Sequence, residues 1–307
     1  MNARISAFFL IAAIGLLPSF ADQPSLASLQ SRAAKGDAQA EFELGRVYQL
    51  GQGVPPDYAK ATELYQKAAA QGIAKAMFNL GYIYRHGQGI AQDNELANQW
   101  FQKAADQGLA AGQLEIGLAY YFGDSGLKKD YAAAEKWLTL AAKQTNSPAQ
   151  SASAANALGN MYAYGMGVPT DGKQAAFWLG QAAEMGNANG QSNLGKLDYE
   201  GRLVKQDLIE GYKWMKLAAA QNEPLAVHAM SEYMAAKAFS PDVIAEGDRR
   251  VDEYQLRHHK RPIKAIPFVV EPESETADGK IPPGMIAPQG VTNLPVAIPP
   301  SPRPAGH

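Results

Sequence analysis

Apolar residues recur along this chain at helical spacing, and the helical stretches themselves recur. In the second copy, Ala76, Leu80, Ile83 and Tyr84 share one face of a 3.6-residue period, while Lys75, Asn79, Tyr82 and His86 fall on the other. The pattern closes in a glycine-rich turn and appears five times: LGRVYQLGQG from Leu44, LGYIYRHGQG from Leu80, IGLAYYFGDSG from Ile116, LGNMYAYGMG from Leu158 and LGKLDYEGRL from Leu194. Successive starts lie 36, 36, 42 and 36 residues apart. A fixed period of this length marks an array whose units each bury an apolar face on their neighbours. The predicted fold is all-α, with repeats at 38–73, 74–109, 110–151, 152–187 and 188–223, each a pair of helices.

The second helix of every unit is announced by an aspartate: Asp57, Asp93, Asp130, Asp171 and Asp207. A carboxylate there accepts hydrogen bonds from the free N–H groups of the first turn and suits the positive end of the helix dipole. Five copies point to capping, not to catalysis. The helix ends in an alanine pair, Ala68-Ala69, Ala104-Ala105, Ala141-Ala142, Ala182-Ala183 and Ala218-Ala219, followed by Gly72, Gly108, Gly186 and Asn222, which tolerate the left-handed backbone of a helix stop. Repeat three has no such stop. Its polar run from Gln144 to Pro148 predicts that most of the six extra residues form a longer turn, with one more between Gly123 and Gly126.

Four residues before each alanine pair stand Leu64, Trp100, Trp137, Trp178 and Trp214, a periodicity that assigns the tryptophans to packing between units. The glycines at 45, 81, 117, 159 and 195 each cost a helix about 1 kcal/mol relative to alanine. Close approach to the alanine pair of the partner helix is the expected compensation. The later Gly-x-Gly is a turn, and no phosphate is implied.

The ends differ from the repeats. Residues 22–37 predict an N-terminal capping helix, and 224–261 a degenerate sixth pair with Ser240 as N-cap and Pro241 at the first helical position. Residues 262–307 are proline-rich, as in Pro299-Pro300-Ser301-Pro302, and read as a disordered or polyproline II tail. At the other end, Arg4, the apolar run Ala7–Leu17 and Ser19-Phe20-Ala21 have the form of a cleavable secretory signal over residues 1–21, with an uncleaved anchor as the alternative. A periplasmic or secreted chain without an integral span after cleavage follows. The absence of cysteine means that it must be stable without disulfides and without a lipid on a cysteine.

Leu-Gly-x-x-Tyr, Gly-x-Gly-Val, an aspartate and Ala-Ala-x-x-Gly, seen most clearly from Leu44 to Gly72, Leu80 to Gly108 and Leu158 to Gly186, resemble the Sel-one-like repeat (SLR) family, relatives of the tetratricopeptide repeats. The resemblance covers roughly residues 24–260. It implies a right-handed α/α superhelix, a solenoid whose first helices line a concave surface, and scaffold or adaptor work in bacterial envelope processes without shared catalytic residues. The fifth repeat departs from the pattern: Asp198 stands where the others have Tyr48, Tyr84, Tyr120 and Tyr162, and Tyr199 is the residue expected to compensate.

A formal charge of −2 supplies no basic surface for nucleic acid. The sequence has no His-Glu-x-x-His zinc motif and no Gly-x-Ser-x-Gly elbow. Ser125-Gly126-Leu127-Lys128 matches Ser-x-x-Lys without the companions that β-lactam chemistry needs. No catalytic residue, cofactor or metal is assigned, and a monomer is expected. What varies from copy to copy is the ridge of each first helix opposite its core: Glu43, Arg46 and Leu50; Asn79, Tyr82 and His86; Glu115, Leu118 and Phe122; Asn160 and Tyr164; Asn193, Lys196 and Glu200. Periodic positions hold the scaffold, so these are free to carry specificity for a protein or peptide partner. The alternative is a binder of peptidoglycan or polysaccharide, with or without hydrolytic or β-lactam-related activity.

Overall fold

The computed structural model describes residues 25–123 and 126–258. The signal expected over 1–21 and the tail expected over 262–307 lie outside the described residues, as does Ser125 of the Ser-x-x-Lys match. Among the described residues all regular structure is helical. α1 (Leu26–Ala33) precedes five helix pairs: α2 (Ala38–Leu50) with α3 (Tyr58–Ala70), α4 (Ala74–His86) with α5 (Asn94–Asp106), α6 (Ala110–Phe122) with α7 (Tyr131–Ala142), α8 (Pro148–Tyr164) with α9 (Gly172–Glu184), and α10 (Ala188–Glu200) with α11 (Leu208–Ala219). α12 (Pro224–Ala235) and α13 (Pro241–Arg257) complete an all-α helical solenoid.

The five aspartates cap the second helices as their position demands. Asp93 Oδ1, for example, accepts from Leu96 N–H at 2.9 Å, and Asp57, Asp130, Asp171 and Asp207 do the same in α3, α7, α9 and α11. Each capping residue also donates its own backbone N–H to a carbonyl in the preceding helix, from Asp57 to Tyr48, Asp93 to Tyr84, Asp130 to Tyr120, Asp171 to Tyr162 and Asp207 to Asp198, at 2.9–3.0 Å. The turn is thereby closed by backbone bonds that do not depend on the side chain of the repeat tyrosine. This is how repeat five keeps its geometry with an aspartate there.

The packing corrects one expectation. The repeat glycines do not meet the alanine pairs. A Cβ built on Gly81 would lie 2.8 Å from the Phe101 ring, and Gly45, Gly117, Gly159 and Gly195 are pressed in the same way by Tyr65, Leu138, Leu179 and Met215. These five are among the deepest side chains of the molecule. They sit one residue after the tryptophan position, so about 100° further round the helix. The tryptophans are therefore less central than their periodicity predicts: Trp178 and Trp214 are buried, whereas Trp100 and Trp137 are half-buried and covered by Lys103 and Lys136. The alanine pairs instead face the following unit, where Gly112 packs on Ala104 and Ala105 and Gly190 on Ala182 and Ala183.

Two further corrections concern the ends of units. The extra length of repeat three is mostly helix: α8 has 17 residues, whereas α6 and α10 have 13. Pro148 opens the added turn because a proline lacks only an N–H that the first turn leaves unused. One helical turn rotates the chain almost fully, so Leu158 and Gly159 return to their repeat positions. Nor do α12 and α13 form a sixth pair. α13 lies on α11, with Gly247 against the Tyr212 ring, Asp248 bonded to Tyr212 Oη at 2.9 Å and Lys216 Nζ at 2.6 Å, and Arg250 bonded to Glu210 at 2.6 Å. Tyr254 reaches further, packing edge-on to Trp214 and donating to the Ala183 carbonyl at 3.1 Å. Tyr199 does not replace the missing tyrosine, because its ring stacks on Tyr233 of α12 at 4.1 Å.

Candidate partner-binding face

The variable ridge is carried by α2, α4, α6, α8 and α10, and two clefts open along these helices. A cleft of about 360 Å³ lies between repeats four and five. It brings together five of the predicted residues, Asn160 and Tyr164 from α8 with Asn193, Lys196 and Glu200 from α10, and adds Arg202 and Leu203 at its rim. A second, of about 320 Å³, joins Arg46 and Asn79 across repeats one and two with Phe42, Lys75 and Phe78, and is closed by Ser147 and Gln150 at the start of α8. The extra turn of α8 thus shapes the second cleft.

The remaining predicted residues are not gathered into either cleft. Tyr82 and His86 stack on each other at 4.2 Å, and Phe122 is 37% exposed with its ring edge-on to Tyr121. Glu43 accepts from Gln39 at 2.8 Å. Glu115 is engaged by Arg85, whose guanidinium also donates to Asn98 and lies over the Phe101 ring, so its carboxylate joins repeats two and three. Asn160 departs from the expected exposed ridge: only 3% of it is accessible.

That turn held a signal in the sequence that repeat averaging hides. Where other units place the second glycine of Gly-x-Gly, repeat five has Leu203; where Asp57 and Asp130 are followed by Tyr58 and Tyr131, Asp171 is followed by Gly172. In the array, Gly89 and Gly167 receive the tyrosines of the preceding unit, while Gly172 receives the backbone and side chain of Leu203. Large and small have exchanged places at this one junction.

The electrostatics of the face are local. Glu200 is held by Arg202 at 2.7 Å and Lys196 at 3.7 Å, two cations on one carboxylate. Burial pushes the Tyr164 phenol up from its usual value; Glu200 adds to this and Arg202 opposes it. Burial likewise pushes Tyr65 up to about 12, against the hydrogen bond of Asn79 and the charge of Arg46. Among the described residues no group of three or more His, Cys, Asp or Glu is arranged to hold a metal ion. No helix among them is long and apolar enough to cross a membrane. The face can recognise shape, amides and charge.

The Sel1 repeat model matches residues 38–73, 74–109, 110–146, 152–187 and 188–223, more than half of the chain. The chain belongs to the Sel1 repeat family. A Sel1 repeat protein from Oxalobacter formigenes is similar at 27% identity with a TM-score of 0.64, over 75% of this chain and 89% of that one. The Escherichia coli protein c5321, described as a protective antigen of uropathogenic strains displaying an SLR fold, is 25% identical with a TM-score of 0.48, over 83% of this chain and 61% of its own. A putative Sel1 repeat protein from Klebsiella pneumoniae is 23% identical with a TM-score of 0.42, over 68% of this chain and 99% of that one. The Sel1 repeat is generally a non-catalytic scaffold that mediates protein–protein interaction.

Proposed function

We propose that this Sel1 repeat chain is a non-enzymatic adaptor of the bacterial cell envelope, exported by residues 1–21, which holds a protein or extended peptide partner along the first-helix face. The observation that carries this reading is the clustering of variable ridge residues around clefts lined by α2, α4, α8 and α10, on a frame whose periodic positions are spent on packing. Phe122 and Tyr164, 37% and 38% exposed, are large rings presented at the middle of the array, where an interface places its anchors.

The test has two arms. Mass spectrometry of the protein recovered from the periplasm or medium is expected to show a chain beginning just after Ala21; recovery of the unprocessed chain in the cytoplasm overturns the localisation. Tyr82, Phe122 and Tyr164 changed together to alanine are expected to abolish retention of envelope proteins in a pull-down while circular dichroism stays unchanged. An identical retained set removes the face from consideration, and release of muropeptides from purified peptidoglycan favours a wall-active protein instead.

A further inference from the structure

Three features set the cleft between repeats four and five apart from the other junctions. The first is Asn160. Its side chain lines the cleft, is 3% exposed, and makes no hydrogen bond within the described residues. Among the described residues the buried side-chain polar atoms without a partner are Arg85 Nε and Trp100 Nε1, so the Asn160 amide touches the solvent of the cleft and is free to bond a ligand there. The second is the exchange of Gly172 and Leu203. Gly172 contributes no side chain where Tyr58 and Tyr131 fill the equivalent junctions, and Leu203 becomes a wall beside Tyr164 with Leu179 and Leu197 as the floor. The third is the rim, where Lys196 and Arg202 share the single carboxylate of Glu200 and leave one positive charge in excess.

We propose that this cleft takes a short extended peptide segment of the partner, seating one large apolar side chain between Tyr164, Leu179 and Leu203, pairing a backbone amide with Asn160, and holding an adjacent acidic side chain at Lys196 and Arg202. The inference rests on the protein-recognition reading above and narrows it to one cleft and one peptide chemistry. A peptide group offers one N–H and one C=O, the complement of a primary amide. Asn193, whose Nδ2 donates to Asn156 at 2.9 Å, keeps its carbonyl oxygen for a second backbone contact. A volume of about 360 Å³ admits a large side chain together with its backbone. A leucine-lined floor under a cationic rim suits an apolar residue next to an acid better than a neutral sugar.

The experiment is to pan a phage-displayed library of linear heptapeptides on the purified chain and to measure a selected peptide, fluorescently labelled, by anisotropy. Sequences with a large apolar residue beside Asp or Glu are expected to emerge. Asn160→Leu, which keeps the volume and removes the amide, is expected to weaken binding about tenfold, the size of one lost hydrogen bond. Arg202→Glu, on an exposed side chain, is expected to weaken it at least as much, and more at low salt. Circular dichroism of both variants confirms that they fold. Selected peptides that bind both variants like the parent, yet are lost when Tyr82 and Phe122 become alanine, overturn the cleft and leave the groove standing. No selected sequence, alongside an envelope partner still retained by pull-down, overturns the peptide chemistry alone. Competition by a muropeptide that is itself sensitive to Asn160→Leu overturns it in favour of a wall ligand.

Discussion

At Gly81 a single methyl group would collide with the Phe101 ring, whereas at Gly180, in the middle of α9, a Cβ would meet nothing within 4 Å. The two glycines therefore predict opposite responses to alanine. Gly81→Ala overpacks the interface within a unit and is expected to cost about 1–3 kcal/mol. Gly180→Ala removes the backbone entropy of a helical glycine and is expected to add about 0.5–1 kcal/mol. Urea denaturation of the two variants checks both signs. Asp198 makes a prediction of a different kind. Burial, then Glu210 and Asp207, push its carboxyl up from 3.8 to about 7, while Lys213 pulls it down. Between those two values the folded chain keeps a proton that the unfolded chain has lost. Stability contributed at this site accordingly falls as pH rises from about 4 to about 7 and is level above that. Glu210, which burial alone would raise, is held below its usual value by Lys213 and Arg250, and Glu246 is lowered to about 2 by Arg249 and Arg250. Their contributions are present above the usual carboxylate range and are lost only as pH falls through the lowered values. Asp198→Asn is expected to flatten the pH dependence between about pH 4 and about pH 7 and to be the more stable form at the upper end; an unchanged slope in denaturant midpoints contradicts this.

Among the elements, α13 has the most to test. A terminal pair stacked in sequence would matter only to its own end of the array. Instead Tyr254, 1% exposed, joins α13 to Trp214 of α11 and to the Ala183 carbonyl at the end of α9. Truncating it removes a fully buried ring and a hydrogen bond, and Tyr254→Ala is expected to cost about 3–5 kcal/mol. Tryptophan fluorescence during urea unfolding checks the loss, and the signal of Trp214 is expected to shift before that of the other three. The caps make the comparison. Asp93→Ala removes one bond to Leu96 N–H and is expected to cost only about 1 kcal/mol. The aspartate caps and left-handed stops of the second helices were legible in the sequence because each depends on a few adjacent residues. The partner of α13 was not, because nothing in a helix's own amphipathic pattern says which neighbour its apolar face will meet.

For the molecule as a whole, stability is a sum of units and their junctions. The largest continuous core runs from Tyr121 through Leu138 and Leu158 to Trp178 and Ala182, spanning repeats three and four. Hydrogen exchange is expected to be slowest in α7, α8 and α9, and fastest in α1, whose only buried residue is Leu29. Because α13 ties back to α9, the C-terminal helices of the described residues are expected to exchange more slowly than a simple end unit. Mass-resolved exchange on proteolytic fragments reads this order, and equal protection of α1 and α11 contradicts it.

The five-fold period, the two helices of each unit, the aspartate caps and the left-handed stops were determined by the sequence alone. They arise from local rules: spacing on a helix, hydrogen bonds over three residues, and backbone angles that glycine and asparagine adopt cheaply. Asn79, Arg46 and Tyr164 stood out in the sequence because they vary against a strict period, whereas the burial of Asn160, at the repeat position of Arg46, did not. Only the tertiary structure decided that the glycines receive the residue after the tryptophan, that the extra residues of repeat three lengthen α8, that α13 folds onto α11, and that Leu203 packs on Gly172 beside a cleft that Asn160 lines. Apart from the lengthening of α8, each of these is a contact between residues some 20 to 70 positions apart, as with Tyr254 and Ala183. Such contacts are set by which surfaces fill one another most densely, a property of the packed whole and not of any single stretch of chain.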